Sequence, residues 1–78
     1  MKSTEKNDIS PGLSLRERSV LKHVTEGKTN RDISEALEIS ERTVEKHLER
    51  VYKKLGVESR TAAVIYAFKN KDRLQAAG

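Results

Sequence analysis

Apolar residues recur at helical spacing in four stretches, each bounded by capping or breaking residues. In the longest, Val44, Leu48, Val51 and Leu55 stand at i, i+4, i+7 and i+11, which puts them on one face of a helix. Val20, Leu21 and Val24 form such a face in the first stretch, and Ile33, Ala36 and Leu37 in the second. The fourth, Thr61 to Phe68, is unusually apolar for the end of a small domain. No alternating pattern of useful strand length, internal repeat or low-complexity run interrupts them. The pattern predicts an all-α, compact four-helix domain.

The residues between the stretches say where each helix starts and stops. Ser14 with Glu17 fits a capping box, in which each side chain satisfies the other residue's backbone N–H. Thr29 with Asp32 repeats the pattern at the second helix. Gly27 and Gly56 close the first and third helices, because glycine takes the left-handed conformation without steric cost. Val57 is then placed to meet Tyr52 across a Schellman stop. Ser40 opens the third helix, predicted over about 41–55, and Ser59 the fourth. Only Glu38, Ile39 and Ser40 separate helices two and three. Ile39 precedes the cap and Val44 lies four residues inside, so the two can staple the turn at a fixed angle. Two helices joined by so short a turn predict a helix-turn-helix.

This organisation sets expected boundaries. Residues 1–12 are polar, sum to no charge and end in Ser10-Pro11-Gly12, which predicts a flexible N-terminal segment or linker. Residues 13–69 form the folded domain, and 70–78 a polar C-terminal tail. The chain reads equally as a small complete regulator or as part of a larger one. At 78 residues it buries only about 60% of its unfolded surface, which invites a staple. With no cysteine and two histidines, a disulfide or a dedicated metal site is not expected, and a partner subunit is the remaining choice. No cofactor is expected. No stretch approaches the ~20 apolar residues of a membrane span, and none resembles a signal peptide, so the expected location is cytoplasmic.

Charge sharpens the picture. The chain carries a net charge of +4 and has a pI near 9.6. Five basic residues (Arg42, Lys46, Arg50, Lys53 and Lys54) face two acidic ones (Glu45 and Glu49) between Arg42 and Lys54. At ~100° per residue, Arg42, Lys46, Glu49 and Lys53 fall within roughly 60° of one another, opposite the apolar stripe, with Arg50 beside them. A helix of this kind fits side-on into a major groove, where basic side chains meet phosphates or guanine edges and a carboxylate meets only a donor such as cytosine N4. The plainer reading is an ordinary amphipathic surface helix. The short preceding helix, the three-residue turn and the staple favour a DNA reader. Thr43 is a candidate phosphate donor or an ordinary third residue of its helix. Asn30 and Arg31 open helix two, where backbone N–H groups favour an anion. His47 lies between core and groove, and His23 reads as a surface residue without a role. Val64, Ile65 and Phe68 cannot easily all point inward, which favours a dimer face over a monomer core.

Together these residues resemble a known family. Leu13-Ser14-x-Arg16-Glu17-x-x-Val20-Leu21, Gly27-x-Thr29-Asn30-x-x-Ile33-Ser34-x-x-Leu37-x-Ile39-Ser40, Thr43-Val44-x-x-His47 and Lys54-Leu55-Gly56-Val57-x-x-Arg60-x-x-Ala63 look like the LuxR/NarL-type DNA-binding domain of bacterial transcription regulators. The resemblance runs from about Leu13 to Phe68. It implies a third helix in the major groove and a homodimer on paired half-sites, joined largely through the fourth helix. It implies base contacts near Glu45, Lys46 and Glu49. Backbone contacts are implied for Thr43, Lys54 and the residues opening helix two (Thr29, Asn30, Arg31), and Arg42, Arg50 and Lys53 join that set from the basic face. Double-stranded DNA is the expected partner, with RNA polymerase a further one. Ser34 stands where the family usually has alanine, at the tight crossing of helices two and three, and a serine fits there by volume. Glu45 stands where a basic residue is common, and Glu49 adds a second carboxylate nearby. These departures bear on target and affinity rather than fold.

Two other readings compete. A sigma-factor region-4 promoter-binding module shares a Ser-x-x-Thr-Val turn, though His47 and the Lys54-Leu55-Gly56-Val57 ending favour the LuxR type. A helical protein-interaction module without DNA binding would suit Glu45 and Glu49. Enzyme activity is not expected, because the chain offers no nucleophile–base set, phosphate loop or metal-ligand cluster.

Overall fold

The computed structural model describes residues 12–70. The expectations for the leading segment and the polar tail therefore fall almost wholly outside the described residues. Four helices follow in order: α1 (Leu15–Thr25), α2 (Asn30–Leu37), α3 (Glu41–Leu55) and α4 (Arg60–Lys69). No strand occurs among the described residues.

Each start is made by a side chain. Ser14 Oγ accepts from Glu17 N at 3.1 Å, and Glu17 Oε1 accepts from Ser14 N at 3.0 Å. Thr29 and Asp32 form the same reciprocal pair at 3.1 and 3.0 Å. Ser40 caps α3 through Thr43 N, and Ser59 caps α4 through Ala62 N. The stops of α1 and α3 are Schellman motifs. Lys28 N donates to His23 O and Gly27 N to Val24 O, while Val57 N donates to Tyr52 O and Gly56 N to Lys53 O. Gly27 and Gly56 carry the positive φ these stops need, at 82° and 73°. The stop after α2 is different. Glu38 adopts φ 58° with a side chain attached, a conformation glycine takes far more easily, and nothing in the local sequence announces it.

α3 is the hub, packing against all three other helices, and α1 packs on α2 and α4. The core has two parts. Val20, Val24, Ile33, Val44 and Leu48 bind the helix-turn-helix to α1, with Ile39 against them as the staple requires. Leu13, Leu21, Val51, Leu55, Ala63 and Ala67 join α1 and α3 to α4. Ala36 departs from expectation. It lies exposed, and Ser34 is buried in its place. α2 packs on α3 and α1 with the side that bears Ile33 and Ser34, which leaves Ala36 on the open flank. The Ser34 hydroxyl donates to Arg31 O at 2.7 Å, so its burial leaves no unsatisfied group. Of the three apolar residues of α4, Val64 is half-buried against the core while Ile65 and Phe68 are exposed.

Glu17 does more than cap α1. Only 4% exposed, its carboxylate accepts from Lys54 Nζ at 2.7 Å. Burial pushes its pKa up, but the hydrogen bonds from Lys54 and from the Ser14 backbone, with the Lys54 charge, outweigh that and hold it below the usual 4.5. A lowered pKa stabilises the fold above the unfolded-state value, and that contribution disappears as pH falls through the folded value. Glu17→Gln should therefore cost about 1–2 kcal/mol at pH 7, toward the low end for a charged hydrogen bond because Lys54 is partly solvated. Thermal melts should show the gap between variant and wild type closing below about pH 4.5. A gap that persists unchanged below that pH would mean that the carboxylate's charge is not what Glu17 contributes.

Candidate nucleic-acid interface

α3 is seated by Val44, Leu48, Val51 and Leu55, all buried. The opposite face is open. Arg42, Glu45, Lys46, Glu49, Arg50 and Lys53 are all exposed. Among the described residues, none of these six is in an ion pair. Arg42, Lys46, Arg50 and Lys53 thus form a basic ridge held in no ion pair with a described residue. Glu49 lies within that ridge and Glu45 four residues before it at the edge, so like charges neighbour one another there. Such an arrangement stabilises an isolated helix poorly and suits a surface that meets an external charged partner.

Thr43 is half-buried, its hydroxyl 2.9 Å from Ser40 Oγ and its N–H given to the same atom. The pair belongs to the cap first. Thr29 is likewise engaged in its capping box. Asp32, its partner, has its pKa lowered chiefly by the Thr29 backbone N–H, then by the Thr29 hydroxyl, so a negative charge stands at the start of α2. Arg31 Nε meets Glu35 at 3.3 Å with both side chains largely solvated, a weak tie that a phosphate can displace.

Lys54 sits apart from the exposed ridge. Its ammonium reaches Gly12 O at 3.1 Å besides Glu17, tying the end of α3 to the start of α1. His47 is half-buried on the flank of α3, and its Nδ1 has no hydrogen-bond partner among the described residues. His23 is partly buried rather than a plain surface residue, with Nδ1 3.7 Å from Glu26 Oε1.

Sequence reasoning overlooked Arg60 as a structural actor. Its Nη1 donates to Asn30 Oδ1 at 2.8 Å and its Nη2 to Lys28 O at 2.6 Å. A signal was present, because a cation at the first position of a helix opposes the helix dipole and calls for a partner elsewhere. The pairing of buried Glu17 with Lys54 had no such local sign.

The comparisons with known proteins agree with this geometry. Residues 11–67 match the family described as bacterial regulatory proteins, luxR family. Among solved structures, the response regulator ChrA of a haem-sensing two-component system is similar, at 40% sequence identity and a TM-score of 0.73. The match covers 88% of this chain and 33% of ChrA, so the chain spans about a third of that protein's length. A search of curated proteins gives no match. No helix among the described residues is long and apolar enough to cross a membrane. With the family matched over most of its length and the helix-turn-helix in place, the chain belongs to the luxR family of bacterial regulatory proteins and carries its DNA-binding domain.

Proposed function

We propose that this domain is a sequence-specific transcription regulator that lays α3 in the major groove of double-stranded DNA and acts as a homodimer through α4. The basic ridge of Arg42, Lys46, Arg50 and Lys53, in no ion pair with a described residue and opposite the buried stripe of α3, carries this reading. Arg42, Arg50 and Lys53 serve phosphates. Lys46, at the centre, and Glu45 and Glu49 beside it, reach base edges, where the carboxylates suit cytosine N4. Thr29, Asn30, Arg31 and Thr43 flank the groove. Lys54 contributes its charge near the backbone while remaining bound to Glu17. The functional unit is 13–69, it works in the cytoplasm, and RNA polymerase is a further partner if the domain activates transcription.

A pool of random duplexes, titrated by fluorescence anisotropy at several salt concentrations and sequenced from the tightest fraction, tests this directly. Enrichment of two half-sites about one helical turn apart or closer supports a dimeric reader. Weak, sequence-blind binding that vanishes with salt would instead leave the protein-interaction reading through α4.

The dimer face has its own test. Ile65 and Phe68 are 49% and 56% exposed, and Val64 is half-buried against the core beside them. Ile65→Glu should leave the fold intact, because the side chain already meets solvent. It should give a monomer by sedimentation and weaken binding to a two-half-site duplex at least tenfold, the order expected for lost coupling between half-sites. An unfolded variant would place Ile65 in the monomer core, and an unchanged dimer would move the interface elsewhere.

A further inference from the structure

No Cα atom of α2 comes within 8 Å of one in α4, so the two helices do not pack on each other. Arg60, the first residue of α4, reaches across that gap. One guanidinium nitrogen donates to Asn30 Oδ1 and another to Lys28 O, at 2.8 and 2.6 Å. Both bonds are charge-assisted and short, and the guanidinium is half-buried. A guanidinium has donors and no acceptor, so the Asn30 atom that meets it has to be the carbonyl oxygen. The Asn30 amide nitrogen is thereby turned away from Arg60, with both its N–H donors uncommitted to it. Without Arg60 the amide can flip, presenting oxygen or nitrogen with similar ease. An oxygen turned toward a phosphate repels it, while a nitrogen donates to it.

Resting on the DNA-binding reading above, we infer that Arg60 is a positioning residue for DNA binding: it fixes the Asn30 amide so that its nitrogen faces a backbone phosphate at the start of α2. It also anchors Lys28 and hence the turn that leads into α2. Arg60 acts here through Asn30 and not as a phosphate ligand itself. Lysine is a poor substitute, because a single ammonium lacks the fork that spans a carbonyl and an amide at once.

The test uses the full 78-residue chain, the tightest duplex from the pool, and the variants Arg60→Lys, Asn30→Ala and their double. Each single variant should bind about three- to tenfold more weakly, the range of one hydrogen bond. The double should bind no more weakly than the weaker single variant. The slope of log affinity against log salt should stay unchanged in Arg60→Lys, since no cation is lost. In the wild type, the Asn30 side-chain amide resonances should shift when the duplex is added. Asn30→Ala leaves the bond to Lys28 O, so it keeps the test valid if Arg60→Lys folds poorly. Additive losses in the double, wild-type affinity in Arg60→Lys, or an unmoved Asn30 amide on a duplex that does bind would each overturn the inference. A wild-type chain that binds no duplex would instead fail the DNA-binding reading, and this inference would fall with it.

Discussion

Replacing Arg42, Arg50 and Lys53 together with alanine should flatten the salt dependence of DNA binding by about 2.7 in slope, since each phosphate contact contributes about 0.9. By the same relation, affinity near 0.1 M salt should fall about 100- to 500-fold, and the loss should shrink as salt rises. The three side chains are exposed and in no ion pair with a described residue, and alanine is the best helix former, so the fold should survive. Circular dichroism and thermal melts check that. Lys46→Ala should behave differently. If Lys46 reads a base, binding falls by about 1–3 kcal/mol and discrimination relaxes at one position of the site. A loss spread evenly over all sequences would move Lys46 to the phosphate set, and an unchanged slope in the triple variant would remove the basic ridge from the interface.

Ile33→Ala should be the most damaging single truncation in the helix-turn-helix, costing about 2–5 kcal/mol. Ile33 is fully buried among Val20, Val24, Val44 and Leu48, and it is the one large apolar side chain that α2 buries completely. Removing it empties the junction where α2, α3 and α1 meet. A domain of this size has only several kcal/mol of total stability, so Tm should drop by roughly 10–30 °C. The contrast is Leu15, which is 82% exposed, where alanine should change stability by less than about 0.5 kcal/mol. Equal melting temperatures for the Ile33 variant and wild type would mean that α2 is held by its caps and Arg60 rather than by its core contact.

The helices and their limits were legible because the signals that set them are local. A serine or threonine that caps a helix bonds to a residue three positions on, and a glycine that stops one needs only its own φ. The third helix was expected at about 41–55 and is Glu41–Leu55. Its apolar stripe was legible too, because helical spacing fixes which residues share a face whatever packs against them. Family membership follows from the same features, since the motif is largely caps, stripe and turn.

The sequence by itself therefore determined four helices, the three-residue turn with its staple, and a basic face opposite a buried one. What only the tertiary structure decided depends on partners far along the chain. Spacing alone admits Ile33 with either Ala36 or Ser34, and the packing of α2 on α3 and α1 chose Ser34. Spacing leaves Val64, Ile65 and Phe68 equivalent, and the angle of α4 on α1 drew Val64 toward the core and left the other two outside. Lys54 and Glu17 are separated by 37 residues and Arg60 and Asn30 by 30, so neither pairing leaves a trace in local pattern. A side chain's period along a helix is set by backbone geometry, but its partner is set by which helices lie beside it, and that is fixed only when the whole core closes.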